Sequence, residues 1–424
     1  MSMNRRDFIK ATGAAFAFGA LHGRAIGAQG AGNVVVIGGG FGGAAVSKYI
    51  RMWSGGRINV TLVEPNAAFV SCPISNLVLA GEKTMADITT RYDGLRRHGV
   101  NIIHDRATAI DPDKRAVTLA KNGSLNYDRL VVAPGIDFLW DSVPGLTPAL
   151  ADSQILHAWK AGPQTVALRK QLEDMPDGGV YALCIPKSPY RCPPGPYERV
   201  SMIAHYFKAH KPKSKVLVLD ANEEVQSKKA LFTKAWADLY SDILEYRPNH
   251  AITEVDANAM TVKFEFSDPV KADVLNIVPA HSAGEIARTA GLITVNNRWC
   301  GIDWRTMESV AHKNIHILGD ATLAASAMPK SGHMTTQHGK IAAAAIVALM
   351  SGQEAPDPMV IANTCYSFVA SNSAIHVASV HAYDAKEKTY KTVPGSGGVS
   401  AARSELESKY ALAWSKNVWA DALL

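Results

Sequence analysis

Little in this chain points to a nucleic-acid partner or to a lipid bilayer. Its formal charge is only +6 over 424 residues, and the first thirty (Arg5, Arg6, Lys10 and Arg24 against Asp7) carry half of that excess. So small a surplus, with no basic run interleaved with aromatics, is too weak to hold a phosphate backbone. Past the N-terminal segment no stretch is apolar for long enough to span a membrane. Cysteine is scarce as well. The five present (Cys72, Cys184, Cys192, Cys300 and Cys365) are an odd number, so at least one is free, bonded to another molecule or bonded to a cofactor. What is plentiful is ordinary core material: 47% hydrophobic and 19% charged residues, enough for two or three buried domains.

The N-terminal segment reads as an address. Asn4-Arg-Arg-Asp-Phe-Ile-Lys10 is a twin-arginine signal, followed by the weakly apolar Ala11 to Leu21. Small residues at Ala28 and Gly30 suit cleavage before Ala31. The expectation is a periplasmic protein, exported already folded around a cofactor, in a compartment that permits disulfides.

Asn33-Val-Val-Val-Ile37 then runs into Gly38-Gly-Gly40-Phe-Gly-Gly43, an apolar strand entering G-x-G-x-x-G, with a helix to Trp53. In that motif Gly38 allows the tight turn, Gly40 lets backbone approach a pyrophosphate, and Gly43 lets helix and strand pack closely. A second strand, Ile58 to Val63, ends on Glu64, placed to bind ribose hydroxyls. Short strands follow at 100–109, 116–119 and 125–132, the last leading into Ala133-Pro-Gly135. Far downstream, Ile315-His-Ile-Leu-Gly319-Asp320 is another strand ending in Gly-Asp. This set resembles the FAD domain of two-dinucleotide-binding flavoproteins, in which the Gly-Asp acid binds the flavin ribityl chain. Asp320 read alone would be a plain helix cap. With Ala107, Ala133 and Gly135 on the earlier strands, it completes the expected cofactor set.

Between these halves lies a second strand–turn–helix–strand unit whose turn lacks what a nucleotide needs. Its first strand, 179–185, is followed by Pro186-Lys-Ser-Pro-Tyr-Arg-Cys192-Pro-Pro-Gly-Pro-Tyr-Glu198 and a helix to Ala209; the second strand ends on Asp220. Five prolines offer no backbone N–H to a pyrophosphate. Direct reduction by NAD(P)H is therefore not expected, and a thiol stands where the phosphates would lie. Arg191 and the helix start both favour Cys192 as a thiolate. The residues alone leave its partner open among Cys184, Cys300 and Cys365. Cys72, eight residues after Glu64, lies where the chain runs toward the flavin ring. Read locally, it is either a buried inert thiol or a covalent anchor.

Taken together, the fold expected is α/β, with two Rossmann-like domains and a small α+β C-terminal domain. The FAD domain (31–144 and 286–355) is interrupted by a degenerate NAD-type domain (145–285), and residues 356–424 cap the flavin. Met328-Pro-Lys330-Ser leads into an Ala-rich helix, about Met334 to Met350, whose positive end can steady charge on a reduced flavin. Helices are also read at 159–173 and 232–244.

The mature chain resembles the flavoprotein subunit of flavocytochrome c sulfide dehydrogenase. The matching runs are Ile37-Gly-Gly-Gly-Phe-Gly-Gly, Val-Val-Ala-Pro-Gly-Ile, His-Ala-Trp-Lys-Ala-Gly, Arg-Cys-Pro-Pro-Gly-Pro-Tyr-Glu-Arg, Pro-Lys-Ser-Gly and Asn-Thr-Cys-Tyr-Ser. The resemblance implies FAD bound covalently through Cys72, a redox disulfide between Cys192 and Cys365, Glu198 beside it, Lys330 in the flavin site and Trp414 over the ring. It implies oxidation of sulfide to sulfur or polysulfide, with electrons passed to a c-type cytochrome partner. No metal site is expected. Two rivals are a sulfide:quinone oxidoreductase, which would need membrane-binding C-terminal helices, and a non-catalytic flavin relay, which would lose the reactive cysteines.

Overall fold

A computed structural model describes residues 32–424. The twin-arginine segment lies outside the described residues. The strand Asn33–Ile37 is buried at every residue after the first, as its unbroken apolar run requires of a strand covered on both faces. It lies at the heart of a sheet, parallel to Asn59–Val63 on one side and Arg129–Val132 on the other. Asn101–Ile103 extends the parallel set beyond 59–63, and Ile315–Ile317 extends it beyond 129–132. Two short antiparallel strands, 302–303 and 308–309, finish the latter edge. The helices Phe41–Trp53 and Gly332–Met350 cover one face, meeting through small residues such as Ala44, Ala45, Ala342 and Ala343.

The inserted unit leaves and rejoins this domain through two adjacent strands, Ile136–Leu139 antiparallel to Ala280–Ala283. Inside it, Val180–Ile185 is flanked by parallel strands Lys215–Asp220 and Val274–Ile277, with Leu244–Arg247 on the outer edge. The helix Gly195–His210 crosses between 180–185 and 215–220. The C-terminal unit pairs Ile361–Ala370 with Ser373–Asp384, adds Thr389–Thr392, and lays the helix Glu405–Leu423 across the sheet. The strand 361–370 also packs on the helix 195–210, which brings Cys365 toward Cys192. Among the described residues no helix is long and apolar enough to cross a membrane.

Several elements differ from the sequence reading. The helix expected from Trp159 begins at Pro163; Pro163 takes the first helical position and bars Gly162 from the helical region. Residues 157–162 form a bent strip instead, with Ala158 in the left-handed region (φ 44°). The helix read to Leu244 stops at Tyr240, and 244–247 is an edge strand, too short to show a period. The strand read over 100–109 breaks after Ile103, where the Asp105 carboxylate collects the N–H groups of Arg106, Lys121 and Asn122. The one read over 125–132 divides at Tyr127-Asp128, where Asp128 accepts the Asn33 N–H at 2.7 Å.

Candidate functional site

A cavity of about 350 Å³ opens where the parallel strands end, between the FAD-type sheet and the inserted unit. The glycine turn forms one wall. Gly38 is in the left-handed region (φ 94°), and a Cβ there would lie 2.3 Å from the Ala133 carbonyl oxygen. A Cβ on Gly43 would stand 1.8 Å from the Gly38 carbonyl oxygen, so only glycine permits this helix–strand approach. Gly40 differs: a Cβ would meet no protein atom within 4 Å, because its open side is the cavity. The same holds at Gly135. Glu64 also lines the cavity; it accepts the Gly39 N–H at 2.7 Å and two N–H groups of Asn66.

The opposite wall is the start of the Gly332–Met350 helix, capped by Ser331, whose Oγ accepts the Met334 N–H at 3.0 Å. Asp320 lines the cavity, and its Oδ1 is buried with no hydrogen-bond partner. A buried carboxylate oxygen left unpaired costs about 1–3 kcal/mol or more, so its position fits a ligand hydroxyl. Lys330 is buried; its Nζ donates to the carbonyls of Asp320 and Thr322 and sits 3.8 Å from the Trp299 ring centroid. Burial lowers its pKa to about 8, with Asp320 opposing. Gly319 bears the turn (φ 69°) and, with a Cβ 2.6 Å from Thr335, does not itself reach the cavity. A bare-backbone cradle, a helix N-terminus and an unpaired carboxylate suit a flavin-adenine dinucleotide. Ala107 is not among the residues lining the cavity: it begins the Ala107–Asp111 strand, pairs with Leu119 and packs against the apolar cluster that includes Ile37 and Val63.

Beyond Cys72 the cavity passes into a chamber of about 60 Å³. Cys72, Arg191, Cys192, Cys365 and Trp414 line both spaces. Cys192 occupies the left-handed region (φ 57°), an uncommon conformation for a residue with a side chain. It is fixed by its N–H donating to the Lys330 carbonyl at 2.7 Å and its carbonyl accepting the Gly195 N–H at 2.8 Å. Cys192 and Cys365, which the resemblance implies as a redox pair, line the same chamber from different elements, and no S–S bond joins any two of the five cysteines in this structure. Cys184 and Cys300 are buried in different apolar clusters; burial drives Cys184 far up and Cys300 up to about 12, which makes both inert.

The charges around the pair are unevenly shared. The Arg191 guanidinium donates to Cys72 Sγ at 3.2 Å and to the Trp159 carbonyl, and acts on its neighbour Cys192 through its charge. Burial opposes its charge, but Cys72, Asp320 and Cys192 outweigh it and hold the guanidinium protonated. Cys192 is raised well above the ordinary thiol range by its hydrogen bond toward Cys365, then by burial. Cys365 is lowered by that same bond, against burial, with Lys228 helping. The two shifts run in opposite directions and favour Cys365 as the more acidic thiol of the reduced pair.

Glu198 is buried in the first turn of its helix, accepting the Phe368 N–H and an Asn76 Nδ2–H, each at 2.8 Å. Burial raises its pKa, opposed by these bonds and by Lys228 and Arg199. Sequence reasoning missed Arg199 and Asn76. Arg199 is buried and donates to the carbonyls of His157 and Ala158 and to Asn276 Oδ1, so the bent strip 157–162 is held by it. Its place in the Glu-Arg ending of the Cys192 run was the one available signal. Trp414 sits over the junction, with Nε1 buried and unpartnered and its ring 5.7 Å from that of Tyr366.

Comparison with known proteins agrees with this geometry. Residues 165–279 match the model for the central part of the sulfide dehydrogenase (flavocytochrome c) flavoprotein chain, and 356–423 match the flavocytochrome c sulphide dehydrogenase flavin-binding model. Residues 32–169 match the pyridine nucleotide-disulphide oxidoreductase model. The sulfide dehydrogenase (flavocytochrome c) flavoprotein chain of Chlorobaculum thiosulfatiphilum is 61% identical over 46 residues, 11% of this chain and 94% of that sequence. The mitochondrial sulfide:quinone oxidoreductase of Dictyostelium discoideum is 23% identical over 304 residues, 68% of this chain. The match spans 65% of that relative's length. The sulfide:quinone oxidoreductase structure from Aquifex aeolicus superposes with a TM-score of 0.75 at 19% identity, covering 92% of this chain and 91% of that one. The fold is thus that of the pyridine nucleotide-disulfide oxidoreductases, with FAD as cofactor, and the chain belongs to the family of flavocytochrome c sulfide dehydrogenase flavoprotein chains.

Proposed function

We propose that this chain oxidises hydrosulfide at the Cys192–Cys365 pair, holds its FAD covalently through Cys72, and delivers electrons to a c-type cytochrome in the periplasm. The observation that carries the reading is the meeting of Cys192 and Cys365. They come from different units of the chain and close a small chamber whose other end is Cys72 and the flavin cavity. Oxidised, this pair is a disulfide that hydrosulfide can open: one S–S bond breaks, a new one forms as a persulfide, and the other cysteine leaves as thiolate. A second sulfur anion can then lift the persulfide sulfur away as polysulfide, leaving two thiols. Glu198, with its raised pKa, can hold or return a proton one residue shell from the sulfurs. Arg191 holds Cys72 in place at the junction. FAD, when bound, accepts the electron pair and can release it one electron at a time. The proline-filled turn of the inserted unit argues against NAD(P)H as the donor.

The quinone reading draws support from the mitochondrial and Aquifex relatives. Acceptor competition separates the two. Purified protein given sulfide should reduce a c-type cytochrome fast and a soluble quinone slowly. Sulfide-dependent turnover with quinone alone would overturn the cytochrome assignment. Denaturation in acid tests the Cys72 bond, since the yellow chromophore should precipitate with the protein. A signal-peptide variant with Arg5 and Arg6 replaced by lysine should leave the protein in the cytoplasm.

A further inference from the structure

Lys228 is a buried cation that the reading above leaves without a role. It precedes the helix Lys229–Tyr240, in the left-handed region at φ 55°, and only 7% of its surface is exposed. Its Nζ donates to the Cys365 carbonyl at 3.1 Å and to Ser367 Oγ at 2.8 Å. Both acceptors are neutral, and among the described residues no carboxylate forms an ion pair with it. An ammonium has three donors, so one N–H is left for the space around Cys365. Burying a charge beside neutral oxygens alone is costly unless an anion is close by. The anionic candidates facing it are Cys365 on its own strand, Glu198 on the helix 195–210, Cys192 on the proline loop and Glu407 on the C-terminal helix. Burial lowers the Lys228 pKa, and of the charges that oppose this Cys365 is the largest.

We infer that Lys228 is the positioning residue that holds the negative charge of the reduced pair on Cys365, keeping one thiolate ready inside an otherwise desolvated chamber. This role rests on the proposed redox role of the pair. Its test needs no sulfide turnover and so fails or succeeds separately. Lys228 is the cation that acts on Cys365, with Glu198 opposing it, whereas Arg191 acts on Cys192 and donates to Cys72 and the Trp159 carbonyl, and Arg199 donates to the 157–158 carbonyls.

The experiment is site-resolved alkylation of the reduced holoprotein with iodoacetamide across pH, read by mass spectrometry of the Cys192 and Cys365 peptides. In the unaltered protein Cys365 should titrate to its reactive form at a lower pH than Cys192; the opposite order would overturn the inference without any variant. In Lys228→Gln the Cys365 midpoint should move up by about one unit or more, an approximately tenfold loss of alkylation rate below the midpoint. Lys228→Arg, which keeps the charge, should restore most of it. An unchanged midpoint in Lys228→Gln, or an equal shift in Lys228→Arg, would show a merely structural lysine.

Discussion

Gly195→Ala sets two well-characterised effects against each other at the centre of the site. Gly195 opens the helix 195–210, and alanine in place of glycine ordinarily favours a helix by about 0.5–1 kcal/mol. Here the added Cβ would lie 2.9 Å from Cys192 Sγ, 3.4 Å from Cys192 Cβ and 3.0 Å from Trp159 Cη2. Overpacking of that kind costs about 1–3 kcal/mol. At the first helical position the gain is at the small end of its range, so the clash wins and the variant should be less stable. The chain is multidomain and binds a cofactor, so its melting is not treated as two-state, and thermal midpoints of the FAD-loaded proteins are compared under one identical protocol. A lower midpoint than the parent's is expected. The source of the clash can then be identified by a double-mutant cycle. In a Cys192→Ala background the Sγ is gone, and the cost of Gly195→Ala should shrink by about 1 kcal/mol, with the Trp159 contact keeping it above zero. Alkylation of Cys192 should also change in rate in the single variant, because the sulfur must move. A Gly195→Ala protein as stable as the parent, with the same cost in both backgrounds, would refute the packing argument.

Two further outcomes follow from the charges of the site. Burial raises the Glu198 pKa above its unfolded value, so the folded protein binds this proton more tightly than the unfolded chain does. The stability contributed by that proton is full below the ordinary carboxylate range and is lost as pH rises through the raised value. Glu198→Gln should therefore change stability relative to the parent in favour of the variant as pH increases across that window, while losing the acid limb of the activity profile; parallel melting curves at every pH would contradict it. Arg191→Met removes the guanidinium 3.2 Å from Cys72 Sγ and should lower the fraction of FAD that stays with the acid-denatured protein, whereas an unchanged fraction would show that Cys72 needs no cation.

Features carried by a short local run were the ones legible in the sequence. The glycine turn, the Gly-Asp strand end and the proline-filled loop each announce their backbone through a few adjacent residues, and Gly43 occupies the crowded position that its run foretells. The set around the sulfurs was less visible because it is assembled from separate elements. Lys228 reaches Cys365 over 137 positions of sequence, and Asn76 reaches Glu198 over 122. The charge of Arg191 was read as serving its sequence neighbour; the fold adds a hydrogen bond to Cys72, 119 positions away, and places Lys228 beside Cys365. Trp159 looked helical by composition, yet its backbone carbonyl and those before it are tied to Arg191 and Arg199, a use of main chain that no side-chain pattern records.

The central claim is that electrons enter through the Cys192–Cys365 pair. Anaerobic rapid mixing of the FAD-loaded protein with sulfide tests it most directly, following the flavin absorbance in the parent and in Cys365→Ser. The account predicts fast bleaching in the parent and a loss of at least a hundredfold in rate in Cys365→Ser, since no disulfide can form there (about 2.7 kcal/mol of barrier or more). Bleaching of Cys365→Ser by sulfide at the parent's rate would contradict it.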